Sequence, residues 1–517
     1  MAGLSDLLSF LTIRNLSFLI LAYFIFSWLE QIIRYRFFSP IRNFPGPFWA
    51  SVTRLWIAYH NLKEDECETE LALHKKYGPI LRITPTMLLI SSATLLPSVY
   101  ARNANKSKYY VTGSFGKTES LFNMQDNKVH AHYRKIAAGP YAFSNIKKME
   151  TLVDVRMRHW MATMEDRFVR KGGQGEVFDF APWAVFMAYD IISEIGFGAP
   201  IGFVESGTDV DGLIQGFHDG LPAFGLLGRL WPLTYKLKNT WFGEKFLVAK
   251  PEDKSGIGML MRFRDKLLAQ RRRDIEEGKA GDRIDLLQTF IDARDDDGNP
   301  LTDAYIKAEI LLVLLAGADT TGTAFQGMIH HLLTNPATHS RLLQEIDSAT
   351  REGKISEMPA YDDVIEHCPY YVACVKETMR LNPSAPNIFP RTVGKGGMEV
   401  GEGVWVEEGV EVTCNPWLVH RDPAVFGSDA EVFRPERWLE DEEQTKMLNK
   451  YNMVFGYGSR TCLGKDIALM ELYKGPLLFL RTFTPRLTDE KKPGIWTVKG
   501  GVAFWRDMWM TIEKRCI

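Results

Sequence analysis

The feature that most constrains this chain is a glycine-rich loop with one cysteine that leads into a long helix. The loop reads FGYGSRTCLG over residues 455–464, and the helical run KDIALMELYKGPLLFLRTF follows it. Backbone N–H groups at the start of a helix favour the thiolate of such a cysteine. Gly458 and Gly464 permit positive φ or the close approach of a large flat partner, and Arg460 could pair with an anionic group on that partner. The loop therefore predicts a ligand site, whereas a lone buried cysteine is usually a small hydrophobic residue.

The composition is that of an ordinary globular protein. Hydrophobic residues make up 45% of the 517 positions and charged residues 24%, which excludes a disordered or collagen-like chain. There are 62 basic and 64 acidic residues, so the net charge is −2 and gives no global reason to bind nucleic acid. Six cysteines in a chain of this length are too few for a disulfide scaffold, and the lack of a C-x-x-C pair argues against a structural zinc site.

An apolar run near the amino terminus predicts a membrane anchor. Residues 16–33 read LSFLILAYFIFSWLEQII, with Glu30 as the only charge. Eighteen residues at about 1.5 Å each span about 27 Å, close to the thickness of a bilayer core. The alternative is a buried core helix, but the run is terminal and apolar all round. Arg34, Arg36 and Arg42 follow it, so the positive-inside rule leaves the rest of the chain in the cytoplasm.

The rest of the chain predicts one large, mainly helical body with a minor β part. We expect residues 1–43 to form the anchor and a linker, and residues 44–517 to form a single catalytic domain. Helical periodicity is found over 67–77, 128–137, 146–169, 259–277, 303–334, 337–351 and 363–381. Strand-like runs are found over 80–91, 386–392, 397–413 and 495–512.

A second unusual segment interrupts the most apolar of these helices. It reads AGADTT over residues 316–321, within EILLVLLAGADTTGTAFQGMIHHLL. Gly317 weakens a helix, and Asp319 with two threonines breaks a buried-looking face. One interpretation is a kink whose threonines bond back to the preceding turn. The other is a groove beside a ligand, with an acid and an alcohol placed to move protons.

The cysteine loop resembles the haem-ligand signature F-x-x-G-x-R-x-C-x-G of the cytochrome P-450 family. Every fixed position matches, namely Phe455, Gly458, Arg460, Cys462 and Gly464, and the resemblance extends over about residues 44–515. It implies a haem b whose iron takes an axial thiolate from Cys462, with Arg460 on a propionate and Phe455 packed beside the sulfur.

The helix segment looks like the oxygen-activating motif of the same family. By that resemblance Gly317 opens the groove, Thr320 hydrogen-bonds the oxygen and Asp319 feeds protons towards it. The residues His130 and Arg134 resemble the family's W-x-x-x-R helix, with histidine where many members have tryptophan, although both could equally lie on an ordinary amphipathic face.

Two further matches concern arginines. Arg391 matches a propionate-binding arginine of the family. Glu377, Arg380 and Arg437 match its Glu–Arg–Arg triad, which we interpret as structural; the motif Glu-x-x-Arg alone is weak, because a second copy begins at Glu431.

The resemblance implies a membrane-bound haem-thiolate monooxygenase that uses O2 and NADPH-derived electrons to oxidise an apolar small molecule. No dinucleotide fingerprint or flavin-type domain follows Cys462, so the expected electron donor is a separate NADPH–cytochrome P-450 reductase, with cytochrome b5 as an optional second donor. The expected location is the endoplasmic reticulum membrane, with a single-pass anchor. The sequence most resembles filamentous-fungal monooxygenases of secondary metabolism, of the pisatin demethylase-like group. The expected substrate is therefore a terpenoid, a polyketide or an alkaloid.

Two other functions remain open at this stage. One is an isomerase, a dehydratase or a peroxide-using enzyme on the same fold, against which the intact Asp319–Thr320 pair argues. The other is a haem-binding protein without turnover. The residues expected to line an apolar substrate cavity are Phe115, Phe122, Phe224, Leu312, Leu315, Ala316, Ile388 and Val502.

Overall fold

The computed structural model of the protein confirms a mainly helical fold with small sheets. It describes residues 13–113, 118–169, 175–246, 248–253, 257–279, 281–401 and 403–515. Phe115, one of the residues expected in the substrate cavity, lies outside the described residues, as does Cys516.

The helices are numbered here in chain order over the described residues. They are α1 Ile13–Phe37, α2 Phe48–Val52, α3 Leu55–Leu62, α4 Glu66–Tyr77, α5 Leu96–Val99, α6 Asn127–Ala138, α7 Phe143–Lys148, α8 Glu150–Phe168, α9 Phe180–Phe197, α10 Phe203–Ser206, α11 Leu213–Arg229, α12 Trp231–Lys238, α13 Trp241–Phe246, α14 Ile257–Glu276, α15 Leu286–Asp292, α16 Asp303–Thr334, α17 Pro336–Arg351, α18 Tyr361–His367, α19 Pro369–Leu381, α20 Pro416–Val419, α21 Pro423–Phe426, α22 Glu442–Lys450 and α23 Lys465–Thr482. Short 3-10 turns lie at Ala93–Leu95, Lys108–Gly113, Val210–Gly212, Pro435–Trp438 and Gly458–Arg460.

The strands form small sheets beside the helices. They are β1 Ile80–Thr84, β2 Met87–Ile90, β3 Asn105–Lys106, β4 Phe178–Asp179, β5 Arg391–Thr392, β6 Met398–Glu399, β7 Trp405–Val406, β8 Glu411–Thr413, β9 Phe483–Leu487, β10 Ile495–Lys499, β11 Val502–Arg506 and β12 Trp509–Lys514. The largest sheet has the order β1-β2-β8-β5-β3 and is antiparallel except for the β2–β8 pair. The others are β4-β12-β9 and the hairpins β10–β11 and β6–β7.

The helix α16 is the centre of the molecule, and α9 packs along it. Two glycines make this close approach possible. A Cβ on Gly317 would lie 2.8 Å from Ile192 Cγ1, and a Cβ on Gly322 would lie 2.9 Å from Val185 Cα. Gly317 therefore allows α9 and α16 to pack closely, and its role in opening a ligand groove stays a prediction.

Most predicted helices have the predicted bounds within a few residues. The segment 363–381 is an exception, because it forms two helices that meet at Cys368. Pro369 begins the second helix, and a proline has no N–H to continue the first one. The strand expected over 386–392 is paired only at its end, Arg391–Thr392.

The apolar run near the amino terminus lies within the 25-residue helix α1. Its large side chains are exposed rather than packed on the body, among them Phe18, Phe24 and Phe26. The other helix that is long and apolar enough to cross a membrane is α16, which is mostly buried inside the protein. Of these two helices, α1 therefore has the character of an anchor and α16 that of a core helix.

Candidate functional site

The loop that carries Cys462 is folded back on itself. The Cys462 backbone N–H donates to the carbonyl oxygen of Phe455 at 2.7 Å, which closes the loop just before α23 begins. Gly458 has a φ of +67°, and a Cβ there would lie 2.6 Å from the carbonyl oxygen of Tyr100. Phe455 is half-buried against the main core. The glycine thus allows the tight turn that presents the cysteine.

The side chain of Cys462 has accessible surface. Of the five cysteines that the structure describes, Cys462 is exposed, and the other four are buried. Burial nevertheless raises the pKa of the Cys462 thiol, and the backbone N–H of Gly464 and the charge of Arg134 oppose that rise. The sulfur is thus surrounded by protein yet keeps accessible surface through which a ligand could reach it.

The middle of α16 also has accessible surface. Ala316 is exposed although Leu315 and Ala318 are buried on either side of it. Thr320, one helical turn further on, is half-buried, and its Oγ1 donates to the carbonyl oxygen of Ala316 at 2.7 Å. Thr321 bonds back in the same way to Gly317 at 3.0 Å. The back-bonding expected of the first interpretation is therefore present, and it holds Thr320 beside exposed Ala316.

Asp319 points in another direction, towards helices α9 and α11. The Tyr189 hydroxyl on α9 donates to Asp319 Oδ2 at 3.1 Å. His218 Nε2 on α11 lies 3.1 Å from Asp319 Oδ1. The carboxylate is buried, with 1% of its surface exposed. The structure therefore places the acid in a buried network and the alcohol next to the accessible part of the helix.

A cluster of basic side chains lies around the loop of Cys462. Arg134 donates to the carbonyl oxygen of Thr461 at 2.7 Å, so it touches the residue before the cysteine. Arg460 donates to the carbonyl oxygens of Met124 and Gln125 at 2.8 and 3.1 Å. The sequence-predicted Arg134 and Arg460 are thus brought to the same place.

Arg391 and Lys106 complete this cluster. Arg391 donates to the Tyr110 hydroxyl at 3.0 Å, and its guanidinium lies 4.8 Å from the ring centre of Tyr100. Lys106 lies over the Tyr110 ring at 4.4 Å and donates to the carbonyl oxygen of Phe122. Lys106 was not predicted from the sequence, because nothing in its local pattern distinguishes it from a surface lysine.

The basic side chains repel one another. Burial and the neighbouring Arg391 lower the pKa of Arg460 to about 10. Burial together with Arg391, Arg460 and Arg134 holds the pKa of Lys106 well below its usual range. Burial and the same cations lower the pKa of His130 to about 3, so that His130 is neutral at pH 7. We call Lys106, Arg134, Arg391 and Arg460 the cation cluster.

Within the described residues, no member of the cation cluster forms an ion pair with a carboxylate. Buried charges in proteins are normally paired, because an unpaired charge in a low-dielectric interior is costly. The cluster therefore fits a ligand with more than one negative charge. A flat cofactor with two carboxylates, bound next to Cys462, meets that requirement.

A second group of buried arginines is fully paired within the chain. Glu377 accepts from Arg380 Nε at 2.8 Å and from Arg437 Nε at 2.9 Å. Trp438 Nε1 donates to the same carboxylate at 2.9 Å, and Arg437 also pairs with Asp429 at 3.0 Å. We call Glu377, Arg380 and Arg437 the triad. The structure confirms its predicted assembly, and the lack of accessible surface supports a structural role.

The residues expected around a substrate cavity are only partly suited to it. Leu315 and Ile388 are buried, with 4% and 1% of their surface exposed, so neither has a free face. The half-buried or exposed members are Phe122, Phe224, Leu312, Ala316 and Val502. Leu315 and Ile388 are therefore poor candidates for the cavity lining, because they are buried.

The comparisons with known proteins agree with this geometry. The family model for cytochrome P-450 matches residues 44–503. The chain is 35% identical to quiannulatic acid synthase of Emericella variicolor, over 99% of this chain and 98% of that protein. It is 32% identical to the cytochrome P-450 monooxygenase gsfF of Penicillium aethiopicum, over 92% and 93% of the two chains. It is also 30% identical to the cytochrome P-450 monooxygenase ABA1 of Pyricularia oryzae, over 94% of each.

An accessible thiol beside cations that form no ion pair among the described residues fits a haem-thiolate protein. The chain belongs to the cytochrome P-450 family. It is an oxidoreductase of the monooxygenase type, and the predicted likeness to fungal monooxygenases of secondary metabolism is confirmed. Members of the family bind haem, with a cysteine thiolate as the axial ligand of the iron.

Proposed function

We propose that Cys462 is the axial thiolate and that the protein oxidises an apolar small molecule in a fungal biosynthetic pathway. One observation carries the proposal. Among the cysteines that the structure describes, Cys462 is the one with accessible surface, and Arg134 of the cation cluster contacts its loop. A terpenoid, polyketide or alkaloid skeleton suits the apolar side chains near Ala316. The name of the relative quiannulatic acid synthase makes oxidation of a carbon to a carboxylic acid a candidate outcome.

The cation cluster is proposed to hold the two propionates of haem b. Arg134, Arg391 and Arg460 supply charge-assisted hydrogen bonds, and Lys106 adds a further positive charge. Neutral His130 packs among them, and Phe455 supports the cysteine loop. When bound, the haem supplies the activation of O2, with donation from the thiolate.

Asp319 and Thr320 are proposed to manage protons. The Thr320 hydroxyl lies beside the accessible part of α16 and can rotate from the carbonyl oxygen of Ala316 to hold a proton towards the cavity. Asp319 directly precedes Thr320 in the sequence and is a titratable group that lies further from the cavity. Their arrangement favours oxygen activation over the isomerase and peroxide-using alternatives.

The electrons are proposed to come from a separate NADPH–cytochrome P-450 reductase, with cytochrome b5 as an optional donor. Members of the family use redox partners, and this proposal names the microsomal ones. We also propose that residues 1–43 are an anchor and linker in the endoplasmic reticulum membrane, and that residues 44–517 are a cytoplasmic catalytic domain. The exposed apolar surface of α1 and the arginines after it support this arrangement.

The spectrum of the reduced, carbon-monoxide-bound protein tests the thiolate assignment. Cys462→Ala should abolish the red-shifted Soret band that a thiolate ligand gives, because the other four cysteines that the structure describes are buried. Cys414→Ala is the matched control, since Cys414 is buried, and should leave the band unchanged. A red-shifted band in Cys462→Ala would show that the ligand lies elsewhere.

The yield of product per NADPH tests the roles of the acid and the alcohol. Thr320→Ala should keep the thiolate spectrum but release more hydrogen peroxide for each NADPH oxidised. Asp319→Asn should slow turnover, since general acid–base contributions are typically about 10²–10⁴-fold. Thr321→Ala is the control, because Thr321 is buried. If Thr320→Ala keeps the wild-type yield and Asp319→Asn keeps the wild-type rate, the two residues are only a structural feature of α16.

Removal of residues 1–38 tests the anchor. The truncated protein should be released at least in part from microsomal membranes and should still incorporate haem. If the truncated protein binds membranes as tightly as the full chain does, α1 is not the anchor.

A further inference from the structure

We propose that His218 passes protons from solvent to Asp319, and so acts as a relay and positioning residue for oxygen activation. The inference rests on the proposed role of Asp319. It concerns a residue on α11 that the sequence patterns did not single out, because a lone histidine on a helix usually has no special function.

The position of Asp319 creates the need for such a relay. Insertion of one oxygen atom from O2 into a substrate also forms one water, which consumes two electrons and two protons per turnover. The electrons come from the redox partner, and the protons come from solvent. Asp319 has 1% of its surface exposed, so a proton must reach it through a neighbouring group.

Two side chains contact the Asp319 carboxylate among the residues that the structure describes, and they differ in access to solvent. Tyr189 is fully buried, and burial together with Asp319 raises the pKa of its hydroxyl well above the usual value. It can donate a hydrogen bond but is poorly suited to exchange protons with solvent. His218 has 18% of its side chain exposed and is therefore the partner that reaches solvent.

The His218 ring is held in place for this role. It stacks on Phe504 of the β10–β11 hairpin, with ring centres 4.4 Å apart and an interplanar angle of 12°. This stacking fixes the plane of the imidazole while Nε2 lies 3.1 Å from Asp319 Oδ1. No described residue forms a hydrogen bond with the second ring nitrogen, Nδ1, so it can take up a proton.

The protonation of His218 suits a relay near neutral pH. Burial lowers the pKa of His218, but the hydrogen bond and the charge of Asp319 outweigh burial, and the pKa lies above its ordinary value. The other charged groups that face the ring are Lys499, which lowers the pKa, and Asp209, which raises it. A histidine is the side chain whose ordinary pKa is nearest to physiological pH.

The step itself is a simple proton transfer. A solvent proton binds Nδ1 of the neutral ring, whose Nε2–H donates to Asp319, and the imidazolium so formed gives its Nε2 proton to Asp319 Oδ1. The ring, left with its proton on Nδ1, returns to the Nε2–H tautomer by proton exchange with solvent before the next transfer. Asp319 passes its proton onward, and the carboxylate is restored. No bond to carbon changes, and no oxidant is needed beyond the O2 of the main reaction.

Two substitutions distinguish a proton-transfer role of His218 from a purely structural role. His218→Gln can still donate a hydrogen bond to Asp319 but cannot titrate. His218→Phe keeps an aromatic ring against Phe504 but loses both the hydrogen bond and the titration. His159→Gln is the matched control, because His159 also pairs with a carboxylate, Glu205 at 2.9 Å, on the outer surface.

The measurement is O2 reduction by the haem-loaded full chain with NADPH and reductase, without added organic substrate, between pH 6 and pH 9. The readout is the share of electrons that forms water rather than hydrogen peroxide, since the reduction to water needs more protons. In wild type this share should fall as the pH rises through the raised pKa of His218. His218→Gln and His218→Phe should both form several-fold less water at low pH and should lose the pH dependence, whereas His159→Gln should not change either.

A readout independent of turnover checks the protonation itself. Diethyl pyrocarbonate labels neutral histidines, so the labelling of His218, followed by mass spectrometry, should have a midpoint above about pH 6.5, the ordinary histidine value. In Asp319→Asn the midpoint should shift to lower pH, because the charge that raises it is lost. An unshifted midpoint would overturn the coupling between the two residues.

The outcomes distinguish the inference from the proposed function. If Asp319→Asn lowers the water share and His218→Gln behaves as wild type, Asp319 keeps its role and the relay is overturned. If neither variant changes the water share, the proposed role of Asp319 fails, and the relay fails with it. Loss of water formation and of pH dependence in both variants supports the relay.

Discussion

The triad and the cation cluster are two groups of basic side chains that differ in how their charge is balanced. The arginines of the triad are buried, whereas Arg134 and Arg460 of the cation cluster are half-buried. In the triad, Arg380 and Arg437 share the carboxylate of Glu377, and Arg437 also pairs with Asp429. In the cation cluster, Arg134, Arg391 and Arg460 donate only to carbonyl and hydroxyl oxygens within the described residues.

This difference separates a structural site from a ligand site. Burial raises the pKa of Glu377, but its two arginines outweigh burial and lower the pKa below the usual value, so the triad is stable without a ligand. In the cation cluster, by contrast, burial and the neighbouring cations lower the pKa of Lys106 and of Arg460. Glu309 and Asp126 lie near enough to act on Lys106 and Arg460, but neither forms an ion pair with the cluster among the described residues. We propose that the propionates of haem complete this cluster.

The largest effect is expected in the triad. Glu377→Ala leaves two arginines buried without a counter-charge, and loss of one partner of a buried pair typically costs about 3–5 kcal/mol. The variant should accumulate little folded protein, with or without haem. The control is Glu431→Ala, because Glu431 starts the other Glu-x-x-Arg match but is exposed. Its yield should equal that of wild type, and an equal yield from Glu377→Ala would remove the distinction between the two sites.

An intermediate effect is expected in the cation cluster, and it should depend on haem. Arg460→Gln loses a hydrogen bond to a charged propionate, worth about 1.5–3 kcal/mol, so haem should dissociate roughly tenfold to a hundredfold faster. The haem-free protein should lose little stability, because removal of one of several repelling cations offsets the loss of the hydrogen bonds to Met124 and Gln125. Haem transfer to an acceptor protein and thermal unfolding measure the two quantities. Arg486→Gln, at an exposed ion pair, is the control.

A smaller, pH-dependent effect is expected at His130. Its folded pKa of about 3 lies below the ordinary value near 6.5, so the unfolded chain binds a proton that the folded chain does not. The stability of the haem-free protein should therefore fall as the pH drops from 6.5 towards 3, by at most about 1.4 kcal/mol per pH unit from this group.

His130→Phe should remove that part of the acid sensitivity. His132→Phe, an exposed position on the same helix, should leave it unchanged. Urea unfolding at several pH values measures the slope. Equal slopes in wild type and His130→Phe would show that the neighbouring cations do not act on His130.

The sequence predicted the ligand loop and the triad better than it predicted the distal network. Cys462 and Arg460 stand in a fixed local spacing, and the triad residues follow in a recognisable order along the chain. Lys106 and His218 reach their sites only through the packing of distant elements, so no local pattern could identify them. Gly317 illustrates the same limit of sequence-based prediction. The sequence singles out this glycine, but its contact with Ile192 depends on the approach of α9.

The central claim is that the cation cluster is completed by the two propionates, and haem with both propionates esterified tests it most directly. Haem-free wild-type protein is titrated with haem and with its dimethyl ester, and the two affinities are compared. Wild type should prefer the free acid by at least about tenfold, since each charge-assisted hydrogen bond is worth about 1.5–3 kcal/mol. The double variant Arg134→Gln, Arg460→Gln should lose most of that preference. Equal affinity of wild type for the acid and the ester would contradict the account.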